Sequence, residues 1–124
     1  MTVIKHIVMW KVRGDDAATR ARHLAQLKAE FESLRGRIPG LLRLEVGIDV
    51  SGVDYACDAV LVTEFASREA LAGYAEHPEH LRVRCVLGDM RIARHQVDYE
   101  VIPLPAGTVA GLTTPGDKDH VQAL

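Results

Sequence analysis

Residues 3–13 alternate strictly between two sets of side chains. The first set comprises Ile4, His6, Val8, Trp10 and Val12. The second set comprises Val3, Lys5, Ile7, Met9 and Lys11. A period of two is typical of a β-strand. Because both sets contain large apolar side chains, we expect both faces of this strand to be covered in the functional protein.

The apolar period becomes helical between Ala17 and Leu34. Gly14-Asp15-Asp16 interrupts the strand pattern and offers an N-cap for the helix. The apolar stripe of this helix consists of Leu24, Leu27, Phe31 and Leu34, at spacings of three and four. Such spacings place side chains on one face of a helix. The helix is predicted to end at the residues that follow, Gly36, Pro39 and Gly40.

Two strands are predicted next. Leu42, Leu44, Val46, Ile48 and Val50 alternate with mostly polar residues. One buried and one solvated face is the signature of an antiparallel sheet. A turn is predicted at 51–54 and a third strand at 58–65, where apolar residues again dominate.

The second half of the chain repeats the order of helix and strand. Ser67 is the predicted N-cap of a helix that continues through Tyr74. Pro78 interrupts this helix, and a further helical segment extends to about Met90. Residues 95–102 are predicted to form the fourth strand, with Val97, Tyr99 and Val101 as its apolar positions.

The resulting order, β-α-β-β-α-β, predicts an α+β fold, a ferredoxin-like unit with two helices on one face of an antiparallel sheet. The other sheet face is left uncovered. The simplest cover is a second copy, sheet facing sheet, in a homodimeric barrel. Residues 1–103 are the predicted domain. Residues 104–124, rich in Pro, Gly and Thr, are expected to form an extended or disordered tail.

Composition narrows the classes of function. The 124 residues carry a net charge of −2 at pH 7, and no basic stripe suggests nucleic acid as a partner. No apolar run reaches the roughly 18 residues of a membrane span, and the N-terminus does not resemble a signal peptide. Cys57 and Cys85 are isolated, which excludes a metal or redox spacing and favours the reducing cytoplasm.

The stretch from Tyr74 to His80 (Tyr-Ala-Glu-His-Pro-Glu-His) concentrates groups that transfer protons near neutral pH. As a site, His80 would be a general base and Tyr74 a hydrogen-bond donor to a developing oxyanion. Pro78 would set the angle between them. The alternative is structural: Pro78 begins a new helix, and His77 is a boundary residue.

Two other interpretations concern histidines. His77 and His80, with Glu76 or Glu79, resemble zinc ligands, but Pro78 breaks the helix that would align them and no third ligand is close in sequence. We therefore predict no metal and no cofactor. His6 shares a face with Val8 and Trp10. If that face lines the barrel interior, His6 needs a polar partner: His80, Tyr74 or a backbone carbonyl.

Three segments together resemble the stress-responsive dimeric α+β barrel (Dabb) family over about residues 3–102. They are Ile4-Lys5-His6-Ile7-Val8, Glu64-Phe65-Ala66-Ser67 and Tyr74-x-x-His77-Pro78-x-His80. The resemblance implies a homodimer with a cavity in each half of the barrel, but no single activity. It extends to a plant polyketide cyclase of the olivetolic acid type, which performs a cofactor-free aldol condensation.

The similarity to that cyclase implies roles for individual residues. Tyr74 and His80 match its catalytic pair, and His6 and His77 match cavity-lining positions. Asp98 would point inward by the same match, whereas alternation with Val97, Tyr99 and Val101 would point it outward. The third strand has Ala59 or Asp58 in place of a histidine, and helix one has His23, Leu24 and Leu27 in place of cavity aromatics. A polyketide substrate is therefore not implied.

We thus expect a small apolar cavity with catalytic His80 and Tyr74 and with substrate-binding His6, Val8, Trp10 and His77. The first functional hypothesis is binding, or cofactor-free proton abstraction, of a small carbonyl-bearing or aromatic molecule. A second is a non-enzymatic dimer whose interior is filled by its own side chains; a void beside His80 would argue against it. A third is a cofactor-free or haem-degrading monooxygenase, which haem titration would test.

Overall fold

A computed structural model describes residues 2–102 of the chain. The predicted tail at 104–124 lies outside the described residues. The secondary-structure elements are β1 (Val3–Val12), α1 (Ala17–Glu32), β2 (Leu41–Ile48), β3 (Ala59–Phe65), α2 (Arg68–Glu76), α3 (Pro78–Leu87) and β4 (Arg91–Val101), with a 3₁₀ turn at Gly88–Met90. This order confirms the predicted β-α-β-β-α-β unit, with the second helix divided in two at Pro78.

The four strands form one sheet in the order β2-β3-β1-β4, and every neighbouring pair is antiparallel. This is the predicted ferredoxin-like α+β architecture. β1 is a central strand, with His6 opposite Thr63 of β3 on one side and opposite Asp98 of β4 on the other. Because residues directly opposite each other share a face, the register of β1 decides which side chains meet.

The helices cover one face of the sheet. Leu27 and Phe31 of α1, and Leu34 just after it, are buried in the core, and Leu24 packs against them. On β1 the buried face is the one that carries His6, Val8 and Trp10. This face therefore lies under the helices of its own chain. Within residues 2–102, no helix lies over the opposite face, which carries Ile7 and Met9.

β4 begins at Arg91, four residues earlier than the sequence predicted. Arg94 lies opposite Trp10, but Arg91 lies opposite Val12, so the register shifts by one residue around Ile92. A bulge of this kind interrupts the period of two, which is why alternation did not reveal the start of the strand. It also places Arg91 and Arg94 on the same face, although residues three apart normally lie on opposite faces.

Local caps divide the helical part of the second half. The Ser67 side chain accepts a hydrogen bond from the Ala70 amide, so the predicted N-cap of α2 is confirmed. His77 is extended between α2 and α3, and Pro78 starts α3. Gly88 ends α3 with φ at +53°, a left-handed conformation that favours glycine. The chain then turns directly into β4.

Candidate functional site

A cavity of about 510 Å³ lies between the helix-covered face of the sheet and helices α2 and α3. Its size is within the range of small-molecule sites. The residues that line it are His6, Val8, Trp10, Phe31, Leu61, Tyr74, Ala75, His80, Arg84, Gly88, Arg91 and Arg94. An open space therefore lies beside His80, which argues against an interior filled by the protein's own side chains. His6, Val8, Trp10, Tyr74 and His80 all line it.

One wall of the cavity is apolar and aromatic. Val8, Trp10 and Leu61 of the sheet are buried there together with Phe31 of α1. The indole of Trp10 stacks on the Phe31 ring, with centroids 5.0 Å apart and planes 20° from parallel. Stacked aromatic pairs give a rigid, apolar surface. This wall suits the apolar or aromatic part of a small molecule.

Tyr74 and His80 lie side by side in this cavity. Their ring centroids are 4.3 Å apart, with planes at 42°. Tyr74 lies in the last turn of α2 and His80 in the first turn of α3. Since a continuous helix would place residues six apart on different sides, the break at His77 and Pro78 allows the two rings to meet.

The protonation of the neutral His80 ring follows from its hydrogen bond. Nδ1 lies 3.1 Å from the carbonyl oxygen of Ala75. Because a carbonyl oxygen only accepts, Nδ1 carries the proton and Nε2 carries the lone pair. Burial lowers the pKa of His80 below its ordinary value, and this effect outweighs the hydrogen bond to Ala75, which raises the pKa; the positive charges of Arg84 and Arg91 lower it further. The ring is therefore neutral at pH 7, with Nε2 able to accept a proton.

The Tyr74 hydroxyl, in contrast to Nε2 of His80, is protonated. Its side chain is 3% exposed, and burial raises the pKa of its phenol well above the ordinary value. The hydroxyl therefore keeps its proton under physiological conditions. Within residues 2–102 this hydroxyl has no hydrogen-bond partner, so it is free to donate to a molecule in the cavity.

His6 has a partner that the sequence did not predict. Its Nδ1 lies 2.5 Å from Oδ1 of Asp98. The Asp98 carboxylate therefore lies on the helix-covered side of β4, whereas Val97 and Tyr99 lie on the other. This settles the orientation that the sequence left open, in favour of the inward one. The His6 ring also approaches Tyr74 edge-on, with centroids 6.1 Å apart.

The structure places His77 outside the cavity lining. Its Nδ1 accepts a hydrogen bond of 3.1 Å from the Glu79 amide, which caps the N-terminus of α3. A ring held in this way satisfies one of the free amides of the first helical turn. The boundary role, given above as the structural alternative, is the one observed for this histidine.

Three arginines complete the lining, and sequence reasoning missed them. Arg84 comes from α3, and Arg91 and Arg94 come from the start of β4. The expected cavity is thus apolar on one wall only. Arg91 and Arg94 share the cavity face because of the bulge at Ile92, and the sequence pattern carries no signal of that bulge.

Residues 2–102, the part of the chain that the structure describes, contain neither a cluster of metal-ligating side chains nor a helix that could span a membrane. No three His, Cys, Asp or Glu side chains in this part are grouped so as to hold a metal ion. None of its helices combines the length and the apolar character that crossing a bilayer requires.

Comparison with known proteins identifies the family. The stress responsive A/B barrel domain (Dabb) family matches residues 4–101, and the chain belongs to this family. No curated protein is similar enough to count as a match.

Solved structures share the fold. A dimeric ferredoxin-like protein of unknown function from Bacteroides fragilis is 29% identical, with a TM-score of 0.72 over 80% of this chain and 96% of that one. A Dabb family protein from Mesorhizobium loti is 24% identical, with a TM-score of 0.58 over 85% and 100%. A hydroxynitrile lyase from Passiflora edulis is 14% identical, with a TM-score of 0.67 over 83% and 97%. At 24% and 14% identity the likeness concerns the fold alone.

Proposed function

We propose that this protein binds a small carbonyl-bearing molecule in the cavity and removes a proton from the carbon next to the carbonyl, without a cofactor. The observation that carries the proposal is the hydrogen bond between His80 Nδ1 and the Ala75 carbonyl oxygen, which fixes the tautomer of the ring. Its Nδ1 is committed to the Ala75 carbonyl, so the unprotonated Nε2 belongs to a residue that lines an open cavity beside a neutral tyrosine.

The proposed step uses two groups of this chain. Nε2 of His80 takes the α-proton, and the electrons of the broken C–H bond form the double bond of an enolate. The Tyr74 hydroxyl donates a hydrogen bond to the oxygen on which the negative charge develops. The imidazolium of His80 then returns the proton to the same carbon or to another atom. Many isomerase, lyase and cyclase reactions of carbonyl compounds begin with this step.

The two groups are suited to these roles by opposite effects of burial. A base that is neutral near pH 7 suits proton abstraction, and such positioned bases typically contribute ~10²–10⁴-fold to the rate. Burial lowers the pKa of His80 and so favours its basic form. The same effect raises the pKa of Tyr74 and so preserves its O–H. Tyr74 is therefore the donor and His80 the base.

We also propose that two copies pack through the uncovered sheet face. Its apolar side chains include Ile7, Met9, Val60, Val62, Val97 and Tyr99. Of these, Val97 is 57% exposed and Tyr99 is 43% exposed. An apolar face of this extent is typical of an interface. Three structures that share the fold, including the one from Bacteroides fragilis, are described as dimeric.

The cytoplasm is the compartment we propose. Cys57 and Cys85 are both free, and Cys85 is exposed. Exposed free thiols persist where the environment is reducing.

Deuterium exchange tests the proposed step. Phenylacetone in D₂O serves as the probe, and ¹H NMR follows the loss of its α-protons. The dimer should accelerate this exchange, and His80→Ala should abolish the acceleration. The molar mass of the variant in solution should remain that of the wild type. His23→Gln is the matched control, because His23 lies on α1 outside the cavity lining, and in the described residues its side chain bonds only the Arg13 carbonyl. Equal exchange by His80→Ala and the wild type would refute the mechanism.

A further inference from the structure

Three guanidinium groups form a cationic wall in the cavity, made of Arg84, Arg91 and Arg94. Among residues 2–102, no aspartate or glutamate lines the same cavity. The wall therefore carries three positive charges that the cavity itself does not balance.

These charges are also not balanced elsewhere in the described part of the chain. Six other arginines form ion pairs with carboxylates: Arg13, Arg35, Arg37, Arg43, Arg68 and Arg82. Within residues 2–102, none of the three cavity arginines does. The contrast is clear on α3 itself, where Arg82 reaches both Glu30 and Glu79 while Arg84 reaches neither.

The backbone forces these side chains together. The bulge at Ile92 puts Arg91 and Arg94 on one face of β4, and the turn at Gly88 brings that face next to Arg84 of α3. The Arg91 guanidinium lies over the indole of Trp10, 5.9 Å from the ring centroid, and Arg94 donates to the Gln96 side chain. Contacts to neutral groups of this kind hold an arginine in position and leave its charge uncompensated.

The crowding costs free energy that an anion would recover. Arg91 is half-buried, and burial lowers the pKa of its guanidinium, with Arg84 and Arg94 lowering it further. Like charges held close together destabilise one another. A carboxylate or phosphate group removes this repulsion and accepts several charge-assisted hydrogen bonds at once.

A second feature of the cavity also indicates an acceptor. Trp10 lines the cavity, is 2% exposed, and its indole N–H is the one buried side-chain donor in the described residues without a partner. A buried donor left without an acceptor is destabilising. An oxygen atom of a ligand held by Arg91, which lies over the same indole, would satisfy it.

We propose that the substrate carries an oxyanion, a carboxylate or a phosphate, which Arg84, Arg91 and Arg94 bind while its carbonyl lies at Tyr74 and His80. This inference deepens the proposed function and rests on the same cavity. It narrows the substrate class from small carbonyl compounds to anionic ones, such as oxo acids.

Trp10 provides the readout, because it is the single tryptophan of the chain. The indole N–H signal of the ¹⁵N-labelled dimer is followed during titration with phenylpyruvate and with phenylacetone, which has a methyl group in place of the carboxylate. Phenylpyruvate should bind at least about tenfold more tightly, as expected for charge-assisted hydrogen bonds. Inorganic phosphate is the third probe. If phosphate shifts the Trp10 N–H signal and phenylpyruvate does not, the oxyanion is assigned as a phosphate.

Two variants test the assignment. Arg91→Gln should remove the preference for the anion. Arg84→Gln/Arg94→Gln should reduce it, and because both residues are exposed, this variant keeps the fold. Arg22→Gln is the charge-matched control, because Arg22 is exposed on α1 and in the described residues its side chain bonds only Thr19. Equal binding of all three probes, or an anion preference that survives both arginine variants, would overturn the proposal.

The outcomes separate this inference from the proposed reaction. His80→Ala should abolish exchange and leave the preference for phenylpyruvate intact. If the protein prefers phenylpyruvate but does not accelerate proton exchange, the proposed reaction is refuted and the oxyanion site is supported. Exchange of phenylacetone that depends on His80, without any anion preference, would refute the oxyanion site and leave the reaction.

Discussion

Nδ1 of His80 donates a hydrogen bond of 3.1 Å to the carbonyl oxygen of Ala75. This contact joins the first turn of α3 to the last turn of α2, and it leaves Nε2 as the basic nitrogen of a ring that lines the cavity. Since Tyr74 packs against the same ring, a proton acceptor and a proton donor are held together by a few residues around one helix break.

The rate of proton exchange should follow the protonation of His80. Burial lowers the pKa of this residue below the usual value of about 6.5, so the basic form predominates at pH 7. The exchange rate should be constant from pH 7 to about 9 and fall tenfold per unit once the pH is below the His80 pKa. A rate profile measured by NMR checks this. A rate that rises as the pH falls below 6 would contradict it.

Removing the Tyr74 hydroxyl should affect catalysis much more than stability. Tyr74→Phe keeps the buried ring, and in the described residues the hydroxyl bonds nothing. We expect the exchange rate to fall by about 10²–10³-fold, as for loss of an oxyanion donor. Urea unfolding should change by less than about 1 kcal/mol. An unchanged exchange rate would remove Tyr74 from the proposed step.

Asp98 should stabilise the fold through His6. The pair joins β4 to the buried face of β1 at 2.5 Å, and Asp98→Ala would leave the buried Nδ1 without its acceptor. We expect a loss of about 1–3 kcal/mol in urea unfolding. Asp89→Ala is the control, because its ion pair with Arg13 is exposed, where such pairs contribute ~0–1 kcal/mol. Equal losses of unfolding free energy in the two variants would show that the His6 contact contributes no more to stability than an exposed ion pair.

His77 should tolerate a substitution that preserves the cap. Asparagine is a good N-cap residue, so His77→Asn should retain both the stability and the exchange rate of the wild type. His77→Val, which offers no acceptor to the Glu79 amide, should lower stability by about 0.5–2 kcal/mol. Loss of exchange in a stable His77→Asn variant would instead support the substrate-binding role that the sequence predicted.

A charge on the uncovered sheet face should dissociate the dimer. Val97 lies opposite Ile7 in the register, near the centre of the proposed interface. Val97→Asp should give a monomer by analytical ultracentrifugation at concentrations where the wild type is dimeric. Leu81→Asp is the control, since Leu81 is similarly exposed but lies on α3. A dimer that persists in Val97→Asp and dissociates in Leu81→Asp would place the interface on the helical layer.

The sequence predicts the fold well because local signals agree with one another. Period-two alternation identifies β1 and β2, and the two caps Asp16 and Ser67 both lie where the pattern predicts them. The candidate site is only partly predictable, because it depends on contacts between distant segments. The partnership of His6 with Asp98 follows from the register of two strands 92 residues apart, which no local pattern encodes.

The cationic wall shows the same limit. Arg91 and Arg94 share a face because one extra residue is inserted in β4. In sequence alone, a spacing of three in a strand predicts opposite faces. The sequence therefore predicts the apolar wall of the cavity but not the cationic wall.

A long-range ¹H–¹⁵N correlation spectrum of the histidine rings at pH 7 tests the role of His80 most directly, because it needs no substrate. The His80→Ala spectrum assigns the signals of this residue by their loss. We expect a neutral His80 ring, protonated at Nδ1 and unprotonated at Nε2. A His80 ring that is protonated at Nε2, or at both nitrogens, would have no base to offer the cavity and would contradict the proposed mechanism.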